Sequence, residues 1–174
     1  MIETARLLLQ PFVEEDLATL CKLRSDPEVA RFIGGVEYSR PEKIGERFRY
    51  YLEHQQQYGF AVSRVALKET GEIIGWAGLQ HLDKTEEIEV GYGFDKPHWG
   101  RGYATEAAMA WLHYGFTVLG LARIVAVAVP ENVNSRRVLE RLGLRYEKNV
   151  RHYGFECAYY ALSKDEFERS ELVR

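Results

Sequence analysis

Read by the spacing of its apolar residues, the chain opens with a strand. Residues 6–10 are a mostly apolar run closed by Pro11. Within residues 14–24, Leu17, Leu20 and Cys21 lie on one helical face. Asp26-Pro27 predicts a second helix, with Asp as N-cap and Pro at the first helical position, and Gly34-Gly35 ends it. Ser39-Arg40-Pro41-Glu42 reads as a capping box opening a helix to about Gln57, whose apolar stripe is Ile44, Phe48, Tyr51 and Leu52.

Strand character follows. Residues 60–67 and 72–79 are strands joined by the hairpin turn Lys68-Glu69-Thr70-Gly71, and residues 88–94 are the next strand. Residues 103–118 form a long helix stopped near Gly120. Residues 121–129 alternate, are rich in β-branched side chains and read as a strand. Residues 134–142 are a short helix ending at Gly143. Residues 144–151 and 155–162 are the last two strands, joined around Tyr153-Gly154, and Ser163 with Glu166 makes a capping box for a closing helix. Helices fall between some strands but not all. That predicts an α/β (mixed α+β) fold, with a mixed sheet and helices on both faces, not a doubly wound parallel sheet. No linker, repeat or low-complexity tract interrupts the pattern, so residues 1–174 read as a single domain.

Composition narrows the function. There are 23 Lys and Arg against 26 Asp and Glu, a net charge of −3. Such a chain lacks the basic footprint of non-specific nucleic-acid binding, so no nucleic-acid partner is expected. Cys21 and Cys157 make no disulfide framework, and neither they nor His54, His81, His98, His113 and His152 show metal-ligand spacing. The first residues have no basic region followed by a long apolar one, and the longest apolar run, 124–129, is far below the ~18 residues of a membrane helix. No membrane association is expected, and the cytoplasm is the expected compartment.

The chemistry concentrates in Glu89-Val90-Gly91-Tyr92-Gly93-Phe94-Asp95-Lys96-Pro97-His98-Trp99-Gly100-Arg101-Gly102-Tyr103-Ala104-Thr105. A strand runs into a glycine-punctuated loop and a helix starts at once. Gly100 and Gly102 let the backbone approach a ligand closely, and the free N–H groups of the helix's first turn favour an anion such as a pyrophosphate. A tight turn whose glycines serve packing alone has the same spacing. A nucleotide P-loop pattern is absent, and the dinucleotide fingerprint fails at Thr105.

Trp99-Gly100-Arg101-Gly102-Tyr103-Ala104 resembles the acetyl-CoA pyrophosphate loop of the GNAT N-acetyltransferase superfamily, written Gln/Arg-x-x-Gly-x-Gly/Ala. The inner Gly falls on Gly102 and the last position on Ala104, while Trp99 departs at the first. Asn132-Val133-Asn134-Ser135-Arg136-Arg137-Val138-Leu139-Glu140-Arg141-Leu142-Gly143-Leu144 is similar to the family's Asn-x-x-Ser-x-x-Val-Leu-Glu-x-x-Gly-Phe stretch. The opening Ile2 to Phe12, with Asp16 and Ser25 to Val29, resembles the branch of ribosomal-protein N-terminal acetyltransferases.

The resemblance implies a GNAT-like fold with a mostly antiparallel sheet of about seven strands, splayed to admit acetyl-CoA. It implies transfer of the acetyl group to a primary amine by direct attack, the α-amine of a protein N-terminus being one acceptor and a polyamine, amino acid or antibiotic another. A homodimer is an expectation of the resemblance alone. The implied cofactor residues are Gly100, Arg101, Gly102, Ala104, Thr105, Asn134 and Arg136, with backbone N–H groups of Val90, Gly91 or Tyr92 facing the thioester oxygen. Asn134 has the helix N-cap as its other reading. Glu89 is the implied base, with Glu87 as a weaker alternative, and a solvent-facing strand residue is the rival reading. Leu139 stands where many relatives carry a proton-donating Tyr, which leaves Ser135 to stabilise the departing thiolate. Phe32, Glu37, Trp76, Tyr153 and Phe155 are the expected acceptor wall. A GNAT-like domain that binds acyl-CoA without catalysis is the alternative from another functional class.

Overall fold

The computed structural model describes residues 1–170. The chain enters through an antiparallel pair, β1 (Ile2–Glu3) and β2 (Leu7–Gln10). Two residues carry no alternation to read, so β1 escapes the sequence pattern and the sheet has eight strands, not about seven. A 3₁₀ turn at Glu14–Asp16 precedes α1 (Leu17–Ser25), which therefore begins later than its apolar spacing suggests. Asp26 caps α2 (Pro27–Ala30) as expected, accepting the Glu28 N–H at 2.8 Å. That helix is only four residues long, and the chain reaches Gly34 and Gly35 through turns.

The capping box expected at Ser39 does not form. Ser39 belongs to a 3₁₀ turn, Val36–Ser39, and its hydroxyl donates back to the Gly35 carbonyl at 3.1 Å. Arg40 is the N-cap of α3 (Pro41–Tyr58), and Pro41 brings no N–H to be satisfied. By contrast the box at Ser163 and Glu166 forms and opens α6 (Lys164–Arg169).

The remaining elements are β3 (Val62–Leu67), β4 (Ile73–His81), β5 (Ile88–Phe94), α4 (Tyr103–Thr117), β6 (Arg123–Ala128), α5 (Val133–Arg141), β7 (Arg145–His152) and β8 (Phe155–Ser163). The sheet order is β1-β2-β3-β4-β5-β6-β8-β7. Strands β5 and β6 are parallel neighbours and the other pairs are antiparallel, which is the mixed, mostly antiparallel sheet of the sequence reading. Strand alternation sorts the side chains onto two faces. Val90, Phe94, Ile124, Ala126 and Tyr160 pack with Ala107, Trp111 and Leu112 of α4 and Leu139 of α5. Trp76 faces the other way and packs with Leu20, Leu23, Val29, Ile44 and Phe48 of α1 to α3. No helix among the described residues is long and apolar enough to cross a membrane.

The register contains one break that matters for function. Strands β5 and β6 pair only at Glu89 and Val125, and beyond that point they part. On the other side β5 stays zipped to β4 as far as Phe94 opposite Gly75.

Candidate active site

The loop between β5 and α4 is braced before the helix begins. The Trp99 indole N–H donates to the Phe94 carbonyl at 2.7 Å, and His98 Nδ1 lies 2.6 Å from the Asp95 carboxylate. Gly100 and Gly102 take φ of +73° and +81°. Gly102 is the N-cap of α4, so its left-handed backbone turns the chain into the helix without a side-chain cap. Arg6 ties this corner to the first strand pair, with its guanidinium 2.7 Å from the Glu106 carboxylate and 3.0 Å from the Arg101 carbonyl. Gly102, Tyr103, Ala104 and Thr105, at the start of α4, line a cavity beyond the end of β5.

The gap between β5 and β6 opens this cavity, of about 550 Å³. It has two chemically different halves. On the α4 and α5 side the lining includes Gly100, Gly102, Ala104, Thr105, Asn132, Asn134, Ser135, Arg137 and Arg141. On the α1 and α2 side it is apolar, with Val29, Phe32, Ile33, Gly91, Gly93, Val127, Phe155 and Cys157. A Cβ placed on Gly91 would meet nothing within 4 Å, whereas one on Gly93 would run into the Trp76 ring at 2.1 Å. Gly91 thus leaves open space above the strand, and Gly93 lets Trp76 pack flush beneath it.

Strand geometry selects the free backbone donor. The Asp95 N–H bonds to the Ile74 carbonyl at 3.0 Å, which sets the alternation along β5. By that alternation Gly91 turns its N–H to β4, and Val90 turns its own to Val125 at the last rung of the β5–β6 pairing. Of the three expected donors, Tyr92 keeps its N–H directed into the opened gap.

Glu89 is not a solvent-facing strand residue; it is 4% exposed. Its carboxylate accepts from the Tyr153 hydroxyl and from the Gln80 side-chain amide at 2.7 Å. Burial pushes its pKa up to about 7, against those two hydrogen bonds and the charge of nearby Arg47, which hold it down. Tyr153 is itself tightly held. Its backbone takes φ +55°, its N–H donates to Asp83 at 3.0 Å, and its carbonyl accepts the Tyr38 hydroxyl at 2.5 Å. The Arg47 guanidinium stacks on its ring at 5.1 Å. Glu87, the weaker alternative, accepts the Tyr159 hydroxyl at 2.5 Å; neither it nor Glu89 is among the residues lining the cavity.

Several expected site residues are placed elsewhere. Asn132, not Asn134, caps α5, accepting the Ser135 N–H at 3.1 Å; Asn134 is left to face the cavity. Arg136 turns away, bonding the Tyr160 hydroxyl at 2.9 Å and the Pro130 carbonyl at 3.2 Å. Arg137 and Arg141 line the cavity in its place. Positions 134, 137, 138 and 141 repeat at helical spacing, so counting from Asn134 would have selected these arginines and rejected 136. Arg101 is exposed and offers its carbonyl to Arg6, not its side chain to the cavity. Glu37 is an exposed partner of Arg40 at 3.0 Å. Trp76 is buried core, and Tyr153 lies behind Glu89; of the expected acceptor wall, Phe32 and Phe155 line the cavity. Ser135 does line it, and its Oγ is 3.1 Å from the Tyr92 hydroxyl, a pairing that bridges the gap from β5 to α5. Leu139 is buried in the larger core with its edge on the cavity.

A parallel strand pair that parts beside a glycine loop at a helix N-terminus makes a crevice suited to an anionic ligand, and the comparisons say which family builds it here. Residues 6–145 match the acetyltransferase (GNAT) domain family. The uncharacterized N-acetyltransferase p20 of Bacillus licheniformis is 32% identical over 151 residues, covering 86% of this chain and 85% of its own. YkkB of Bacillus subtilis is 34% identical over 160 residues, covering 90% and 92%. An acetyltransferase structure from Agrobacterium tumefaciens superposes with a TM-score of 0.82 at 30% identity, covering 92% of each chain. The chain belongs to the GNAT acetyltransferase family and is an acetyltransferase.

Proposed function

We propose that the protein transfers the acetyl group of acetyl-CoA to a primary amine by direct attack. The observation that carries this reading is the two-sided cavity at the parting of β5 and β6. Its basic, N–H-rich half fits CoA. The α4 N-terminus with Gly100, Gly102, Ala104 and Thr105 suits the pyrophosphate, Arg137 and Arg141 suit further phosphate oxygens, and Asn134 and the free strand edges suit the amide-bearing arm. Bound there, acetyl-CoA supplies a thioester whose C–S bond breaks as the amine's C–N bond forms.

The chain's own residues do the rest. The Tyr92 N–H faces the position of the carbonyl oxygen and stabilises charge developing on it. Glu89 lies on the Gly91 face, two positions along the strand, and takes the amine's proton through one intervening water. A carboxyl with a pKa of about 7 is matched to that task near neutral pH. The Ser135 hydroxyl, oriented by Tyr92, donates to the departing sulfur, a role that buried Leu139 has no group to fill. The opening segment Ile2 to Phe12 keeps the resemblance to the ribosomal-protein branch, so a protein α-amine and a small amine are both tested as acceptors.

Calorimetric titration with acetyl-CoA and then CoA tests the reading. Micromolar binding is expected, followed by thiol release when amines are supplied. Absence of binding at about 1 mM would remove it.

A further inference from the structure

The acceptor half of the cavity is informative in what its walls offer. Val29, Phe32, Ile33, Val127 and Phe155 surround the open space above Gly91. Cys157 adds a neutral thiol, since burial pushes its pKa up to about 11. Among the described residues, no Asp or Glu lines the cavity. Glu89, on the Gly91 face of β5, is buried and already accepts two hydrogen bonds. Exposed Glu131 and Glu156 lie only in the adjoining outer depression, past Val129 and Phe155, beside the opposite charge of Arg31.

These walls discriminate among amines. A second ammonium in this half would lose its water with no counter-charge to meet it. A peptide would bring backbone amides against side chains among which the Cys157 thiol alone, a weak donor and acceptor, can hydrogen-bond. A hydrocarbon group meets complementary surface, and Tyr38 packs edge-on against Phe155 at 6.0 Å, holding that ring in the wall.

We propose that the acceptor is a small primary monoamine carried on an aromatic or branched aliphatic group. The proposal rests on the acetyl-CoA reading above, so acetyl-CoA binding is measured first by calorimetry on the intact chain. Thiol release is then followed with phenethylamine, isopentylamine, spermidine and a short peptide bearing a free α-amine. The two apolar amines are expected to exceed spermidine and the peptide in kcat/KM by about 100-fold, the effect of burying one large apolar group. Phe32→Ala is expected to lower kcat/KM for phenethylamine by about 10-fold or more, chiefly through KM, with acetyl-CoA affinity retained.

A chain that binds acetyl-CoA but consumes spermidine or the peptide first, or none of the four, overturns the proposal and leaves the cofactor site standing. A chain that does not bind acetyl-CoA overturns both. Loss of acetyl-CoA affinity in Phe32→Ala would also count against it, because the residue would then belong to the cofactor half.

Discussion

At Glu89, burial and hydrogen bonding pull in opposite directions, and burial prevails. Only the ionised carboxylate can accept a proton, so kcat/KM is expected to rise with pH through a limb near 7 and level off above it. Glu89→Gln should abolish that limb and lower kcat by about 100- to 1,000-fold, with acetyl-CoA affinity retained by calorimetry. Tyr153→Phe removes a donor to the ionised form, so the limb should move to higher pH in the same assay. Glu89 stood out as a candidate base from its place on the strand entering the glycine loop together with the family resemblance, but its burial was not legible there. Nor was the role of Tyr153, because its partner is 64 residues away and nothing local marks the pairing. The same holds for Tyr92 and Ser135, which are 43 residues apart.

Elements turn these residues into a site through their periods. The stripe at 134, 137, 138 and 141 gives α5 a cavity-facing side with Arg137 and Arg141 on it. Replacing either arginine by Ala should weaken acetyl-CoA binding by about 10-fold, less at high salt, whereas Arg136→Ala should leave it near wild type. Isothermal titration at two ionic strengths separates the cases. At the start of α4, Gly102→Ala forces a side chain onto a residue at φ +81°, a cost of about 1–2 kcal/mol, visible as a lower Tm and weaker CoA binding. Helix starts were readable where a side chain meets a local N–H, as at Asp26 and Ser163. They misled where it did not, because Ser39 found the Gly35 carbonyl instead.

Across the whole molecule, the cavity separates β5 and α4 from β6 and α5, so a ligand filling it links parts that the sheet leaves open. CoA at 100 times its dissociation constant should add about 2.7 kcal/mol of stability. For a chain of this size that is a rise in Tm of roughly 5–10 °C by scanning calorimetry, and it should shrink in Arg137→Ala at equal CoA concentration. By itself, the sequence determined the periods of most elements, the two-faced mixed sheet and the glycine loop ahead of a helix. These are features of neighbouring residues, and local backbone preference and apolar spacing decide them. The tertiary structure decided which N–H on β5 stays free, that Glu89 is buried with a raised pKa, and that one half of the cavity is basic and the other apolar. Each of these depends on what packs against a residue from a distant part of the chain: β4 and β6 beside β5, Tyr153 against Glu89, and two sets of helices on opposite faces of one parted sheet.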